Sequence, residues 1–469
     1  MNGDDFTKPY HTDPVTAHEN AVDLFGRSAA GGENAELKAW AGKMQPGLES
    51  HLTKAQDLDK SAHASTTGEG PRPRDASGAS VAWSPPVGAP PCPGMERTFP
   101  MTRDAGLARL AEFLATAGAD YAAARNTDRG PGAAPTTSAL SPYLPRRLAT
   151  APEGAAAADR AFGDGGAEKF VSEVFWRTYF KGHLETHPAA WTDYLALAGS
   201  DRDRLAAEPG LRRTYEAAVE GRTGIDGFDD WAAELVETGW LHNHARMWFA
   251  SIWIFTLRLP WALGAEHFLR HLVDGDPASN TLSWRWVAGL HTQGKHYVAR
   301  AENIRRYTDG RFDPAGLDEY PDALDEPMPP REVPLPRADR APAGDVALLL
   351  HLDDLHPESL PLGTARVRRV AGLVRHAEGA SDRVRAADEA AMADALARAA
   401  AHFDCPADPV ADGWADGLPI VAAWAPVGPS ASALPECLRV RRAWDEAAWP
   451  RATRGYSRLR SAIPAVLDA

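Results

Sequence analysis

The chain has 469 residues, 24% of them charged, with 50 Lys and Arg against 64 Asp and Glu and a formal net charge of −14. That length supports two or three domains around a sizeable core, and the acidic balance excludes broad, nonspecific adhesion to nucleic acid while leaving room for a local basic groove. Three cysteines (Cys92, Cys405 and Cys437) lie far apart without disulfide or metal spacing, the pattern of free thiols in a reducing cytoplasm. No apolar run is long enough to span a bilayer, and an opening with Asp4 and Asp5 is not a secretory signal.

Residues 1–95 are rich in Gly, Ser, Pro, Asp and Lys and end in a crowd of prolines from Pro85 to Pro93. They read as a disordered arm with one short helix over Glu33–Met44. From Phe99 the texture becomes helical, with Leu107, Leu110, Phe113 and Leu114 on one face. Spacing predicts helices over Glu168–Leu184, Phe228–Trp240, His242–Leu259, Gly264–Leu272 and Trp284–Leu290, so residues 96–315 form a helical domain. Residues 316–344 carry Pro321, Pro327, Pro329, Pro330, Pro334, Pro336 and Pro342 and read as a linker. Beyond it, Asp345–Leu352 and Leu418–Trp424 read as buried strands and Ala390–Phe403 as a helix, making residues 345–469 a small α/β domain. The fold class is mainly α, a helical domain followed by a smaller α/β one.

The chemistry concentrates in four clusters. Thr137, Ser138, Ala139, Leu140 and Ser141 put three hydroxyls in one turn, suited to a helix cap or to a phosphate. Glu173, Trp176 and Arg177 share a helix face by their spacing, as do Asn243, Arg246 and Met247 shortly after Trp240. Asp274, Asp276 and Asn280 follow, ahead of Trp284 and Trp286. Singly, each has a bland reading: a cap, a surface ion pair, a core tryptophan. Together they set amides, guanidinia and carboxylates into apolar sequence, which a core does not need and a pocket for a large charged aromatic cofactor does.

In order and spacing these clusters resemble the FAD-binding helical domain of the DNA photolyase and cryptochrome family. The resemblance implies FAD as cofactor, with the 137–141 loop at its phosphates and Tyr121, Phe170, Glu173, Arg177, Trp240 and Asn243 about it. It makes Arg246 and Asp274 an ion pair beside the flavin ring, puts Asp276 at the ribityl chain and ring edge, and sets Asn280 at the redox nitrogen, where photolyases carry asparagine. It makes Glu173, Trp176, Asn243, Met247 and Trp286 the contacts of a pyrimidine dimer extruded from DNA, and Trp284 and Trp261 the first electron-relay tryptophans. The third relay position falls on Glu208, with Trp248 or Trp253 as candidate substitutes. Arg285, Lys295, Arg300, Arg305, Arg306 and Arg311 would then line a phosphate-tracking rim, or a solvated face.

Family members place an α/β antenna domain ahead of the helical one. Here that antenna domain is expected to be absent and the α/β segment follows instead, as a rearranged antenna-like domain or an unrelated cap, which gives little ground for an antenna pigment. The first functional expectation is light-driven repair of pyrimidine dimers, with damaged DNA as partner. The alternative is a cryptochrome-like blue-light receptor with a protein partner, and a third reading is a light-independent flavin enzyme. No membrane partner is expected. His267 and His271 stand four apart without an evident third metal ligand.

Overall fold

The computed structural model describes residues 98–163, 165–326, 330–340 and 342–469. The arm over residues 1–95 and its helix at Glu33–Met44 lie outside them, as does Cys92. The helical part runs α1 (Arg103–Leu114), α2 (Ala119–Ala124), α3 (Ala151–Phe162), α4 (Glu168–Thr186), α5 (Ala189–Ala207), α6 (Pro209–Val219), α7 (Phe228–Thr238), α8 (Asn243–Ser251), α9 (Trp261–His271), α10 (Pro277–Ala288) and α11 (Ala301–Tyr307). Among the described residues no helix is long and apolar enough to cross a membrane.

Local chemistry sets the helix ends. Thr150 and Glu153 form a reciprocal capping box at α3, with Pro152 in its first turn. α7 stops at Thr238, two residues before the expected end, because Gly239 turns left-handed at φ 71°. The helix expected over His242–Leu259 is interrupted: α8 passes into a wide π-turn at Ile252–Thr256, and Pro260 then precedes a fresh start at Trp261. α10 begins at Pro277, well before Trp284, because the Asp276 carboxylate accepts from the amides of Ala278 and Ser279 and Pro277 suits a first helical position.

The C-terminal part is a five-stranded, fully parallel sheet in the order β3-β2-β1-β4-β5, formed by Gly344–His351 (β1), Ala365–Leu373 (β2), Ala407–Pro409 (β3), Ile420–Ala423 (β4) and Leu438–Val440 (β5). Between β2 and β3 the long helix α12 (Asp382–Phe403) makes the crossover that parallel pairing requires. Its start is eight residues ahead of the expected Ala390, where the Ser381 hydroxyl accepts from the amide of Val384. After β4 come α13 (Pro429–Ala433), α14 (Ala443–Ala448), a 3-10 turn at Trp449–Arg451, α15 (Tyr456–Arg460) and α16 (Ile463–Leu467).

Side chains alternate along β1. Val346, Leu348 and Leu350 join a large cluster with Phe113, Phe170, Phe175 and Tyr179 of the helical part and Trp449 and Leu459 of the C-terminal segment. Leu349 packs with Ala371 and Ala422 in a small separate cluster. The sheet therefore shares a core with α1–α4, although a proline-rich stretch connects them. A second large cluster, with Trp231, Trp248, Phe249, Trp253 and Trp284, fills the α5–α11 bundle. One contact at the junction depends on a missing side chain: a Cβ on Gly182, inside α4, would stand 2.7 Å from Cδ1 of the buried Trp449.

Candidate functional site

A cavity of about 600 Å³ opens between α4, the 137–144 loop, α8, the 274–276 loop and α10. That size is ordinary for a cofactor pocket. From α4 it receives Phe170, Glu173, Trp176 and Arg177, residues three and four apart that share a face. α8 adds Asn243, Arg246 and Met247, and α10 adds Asn280, Trp284 and Trp286. Tyr121, Thr137, Ser138, Ala139, Ser141, Trp240, Asp274 and Asp276 also line the cavity, which leaves two of the expected residues outside. Four stretches, at 121–141, 170–177, 240–247 and 274–286, thus converge on one space.

Two ion pairs organise the floor. Arg246 grips Asp274 through both terminal nitrogens, at 3.1 and 2.7 Å, while its Nε donates to the carbonyl of Leu241 at 2.9 Å. Burial alone would raise the Asp274 carboxyl; the charge and hydrogen bonds of Arg246, aided by Arg177, override it and hold the group below the usual carboxylate range. Arg177 donates to Asp276 at 2.7 Å, and burial of that carboxyl is likewise overridden by Lys181 and Arg177. Asp276 serves twice, as partner of Arg177 and as cap of α10.

The wall is differently poised. Burial pushes the Glu173 carboxyl up, against the charge of Arg125, whose Nη1 lies 2.7 Å from it. Trp240 donates its indole N–H to the Ser141 hydroxyl at 3.0 Å, and Asn280 donates to the carbonyl of Ala265 at 2.8 Å. In the 137–141 loop, Ala139 adopts φ 50°, and the buried Thr137 hydroxyl has no hydrogen-bond partner. A buried hydroxyl without a partner is costly, and a polar group of a bound molecule would satisfy it.

Leu140 and Trp261 stand apart from the cavity. The Leu140 side chain is packed in the core, 1% exposed. Trp284 meets the cavity, but its ring neighbours are Trp253, at 6.3 Å between centroids, and Phe268; Trp261 contacts Tyr194 instead. Much of the expected basic rim is also committed internally. Arg285 is buried and bound to Glu326, Arg311 pairs with Asp128, and Arg305 approaches Asp313. Carboxylates contributed by distant segments produce those pairings, which local spacing does not show.

The cavity also takes residues that sequence reasoning missed. Phe180 lies one turn beyond Trp176 and Ser283 one turn beyond Asn280, so helical spacing was a usable signal for both. His291 comes from the loop after α10, for which no periodicity exists. It meets the Tyr179 hydroxyl at 3.2 Å and packs 4.7 Å from His183, which stacks on His187. Burial, Arg285 and His187 lower His291 to about 4, so it is neutral at physiological pH.

Residues 170–318 match the model for the FAD binding domain of DNA photolyase, and residues 1–58 match a domain of unknown function (DUF4142). The chain is 38% identical over 182 residues to a deoxyribodipyrimidine photo-lyase of Streptomyces griseus, covering 36% of this chain and 38% of that one. It is 34% identical over 224 residues to a deoxyribodipyrimidine photo-lyase of Thermus thermophilus, covering 46% and 51%. Among solved structures, a class III photolyase from Agrobacterium tumefaciens overlaps at 25% identity and TM-score 0.36, with 44% of each chain covered. A cryptochrome from Synechocystis sp. PCC6803 overlaps at 23% identity and TM-score 0.38, with 44% and 43% covered. The chain spans about two fifths to one half of the length of these two curated relatives.

Most of the cavity is lined from residues 170–318, the segment that matches the FAD binding domain of DNA photolyase. Over that segment the chain is similar to the DNA photolyase family, whose matching domain binds FAD. The residues present fit the group: a pocket of the right order of size, two carboxylate–guanidinium pairs and an unsatisfied buried hydroxyl at the turn.

Proposed function

We propose that the protein repairs pyrimidine dimers in DNA by light-driven electron transfer. FAD, when bound and reduced, would supply the excited-state electron donor. The chain supplies orientation and a dry site. Arg246, Asp274, Arg177 and Asp276 would hold the cofactor, with Asn280 at the flavin ring and the 137–141 turn at its phosphates. Trp176, Met247 and Trp286 offer flat apolar surface to a dimer of adjacent bases taken out of the duplex, and Asn243 and Glu173 offer polar groups to its edge. Glu173, raised by burial, is suited to share or hold a proton at a base carbonyl. The observation that supports this reading most directly is that all five of these residues line the same cavity as the ion pairs.

The test is dimer splitting on a short thymine-dimer oligonucleotide, with flavin reduced, under blue light and in darkness. Light-dependent recovery of thymines is expected. Flavin bound and reduced with no splitting would overturn the repair reading.

One observation favours a second reading, a blue-light receptor. Trp176 stacks on Tyr456 at 3.9 Å, so the cavity wall is tied directly to the C-terminal segment. A receptor would show light-dependent change in proteolysis or hydrogen exchange at residues 443–460 without repair.

A further inference from the structure

Tyr456 is the first residue of α15, far in sequence from the cavity, yet it lies almost parallel to Trp176, with ring centroids 3.9 Å apart and planes 18° apart. Its hydroxyl donates to the carbonyl of Ser172 at 2.5 Å and lies 3.2 Å from the Ser172 hydroxyl. Trp176 lines the cavity and Tyr456 does not. The phenol therefore backs the indole from outside, taking one face and leaving the rest of the ring to the cavity. Tyr179, edge-on to both rings at 5.5 and 5.7 Å, and Phe180, tilted against the indole at 5.4 Å, complete the set.

The backing is anchored along α4. Trp449 sits in the notch at Gly182, the carbonyl of Ala452 meets His183 Nδ1 at 3.0 Å, and Leu459 is fully buried in the shared core. An aromatic needed only to fill volume would not require a hydroxyl latch to the backbone one turn upstream of its stacking partner. With ring centroids 3.9 Å apart the two planes cannot tilt far without collision, so the latched phenol constrains the plane of the indole.

We infer that Tyr456 is a positioning residue that fixes the plane of Trp176 for stacking against an unpaired, damaged base, and that positioning this ring is a task of the C-terminal segment. This rests on the proposed DNA substrate and deepens it. Trp176, half-buried and in a long helix, is held on one side by Phe180 of the cavity wall and gains its stacked partner from outside the cavity. The cost of ordering the ring is then met in folding rather than at binding.

The test uses the full-length flavoprotein in darkness, so that affinity is read without turnover. Dissociation constants are measured for a thymine-dimer oligonucleotide and its undamaged twin, in wild type, Tyr456→Phe and Tyr456→Ala. In Tyr456→Ala the affinity for the dimer is expected to fall about three- to tenfold, the equivalent of one stacked pair, with binding of the undamaged strand unchanged. Tyr456→Phe keeps the ring and is expected to stay within about twofold of wild type. Unchanged dimer affinity in a folded, flavin-loaded Tyr456→Ala protein overturns the inference, and so does an equal loss on both strands. Where Tyr456→Ala fails to fold, Tyr456→Leu replaces it with the same readings. A second readout needs no DNA: the ¹⁹F signal of fluorotryptophan at position 176, assigned by its loss in Trp176→Phe, is expected to shift and broaden in Tyr456→Ala. A wild type that binds flavin but shows no preference for the dimer defeats the substrate reading. The ¹⁹F signal then decides the positioning alone, and an unperturbed signal overturns it.

Discussion

Removing the Arg246 guanidinium should expose how the pocket floor is balanced. Asp274 is fully buried, and Arg246 supplies it with two hydrogen bonds and a full charge. In Arg246→Met, the carboxylate keeps only the more distant Arg177 and the Ser141 hydroxyl as support. Breaking a buried pair from one side costs about 3–5 kcal/mol. The unit from residue 98 to 469 has about 370 residues, and at about 2.1 cal/mol/K per residue its unfolding entropy is about 0.8 kcal/mol/K, so the midpoint should drop by about 4–6 °C. The sign of the pH dependence follows. In wild type the folded Asp274 is lowered, so its contribution is present above the unfolded value of 3.8 and is lost as pH falls through the folded value. In the variant, burial prevails and the folded value rises above 3.8, so the penalty grows as pH increases. The loss should therefore be larger at pH 7 than at pH 5, read by urea unfolding at both. Arg246→Met/Asp274→Asn should recover part of it. A loss under about 1 kcal/mol, or an equal loss at both pH values, would refute the reasoning.

Other outcomes can be checked alongside. The buried imidazoles of His183 and His291, lowered to about 3 and about 4, stay neutral in the fold, so stability should decline as pH falls from about 6.5, at about 1.4 kcal/mol per pH unit for each; His291→Phe should flatten that slope in pH-dependent unfolding. Gly182→Ala would drive a methyl group into Trp449 and should destabilise by about 1–3 kcal/mol, despite the better helix propensity of alanine, with faster proteolysis after residue 443 as the readout. Trp253 contacts both Trp284 and the half-buried Tyr215, the latter at 5.8 Å. Blue-light reduction of the oxidised flavin by thiol should consequently slow more in Trp253→Phe than in Trp261→Phe; the reverse order would put the route through Trp261. Trp286→Ala should abolish dimer splitting while leaving flavin content intact, which absorbance and repair assays separate.

What was legible in the chain followed from periodicity and from the order of its polar clusters. Residues three and four apart on helices, such as Glu173, Trp176 and Arg177, landed together because helix geometry alone decides that. Helix ends were less legible where one residue overrode the pattern, as at Gly239 and at the Asp276 cap. β2 escaped notice because Arg366, Arg368 and Arg369 interrupt its apolar run; two of these reach Asp345 at the start of the neighbouring strand. β3 and β5, three residues each, are too short to carry a pattern. The basic rim and Trp261 depended on which distant carboxylate or ring arrived beside them, and His291 came from a loop. Only the assembled fold contains that information.

Arg146 carries a consequence of its own. Fully within the protein, it donates to Asp388 on α12 at 2.9 Å, to the carbonyl of Pro142 at 3.3 Å and to the carbonyl of Val273 at 2.7 Å. Val273 immediately precedes the deepest carboxylate of the pocket, and Pro142 follows the 137–141 turn. One side chain thus ties both edges of the cofactor cavity to the crossover helix of the sheet. The flavin pocket is consequently not a portable cassette: a fragment cut off before β1 would lose the anchor on which two of its loops hang, and grafting this helical bundle elsewhere would require a substitute for Asp388.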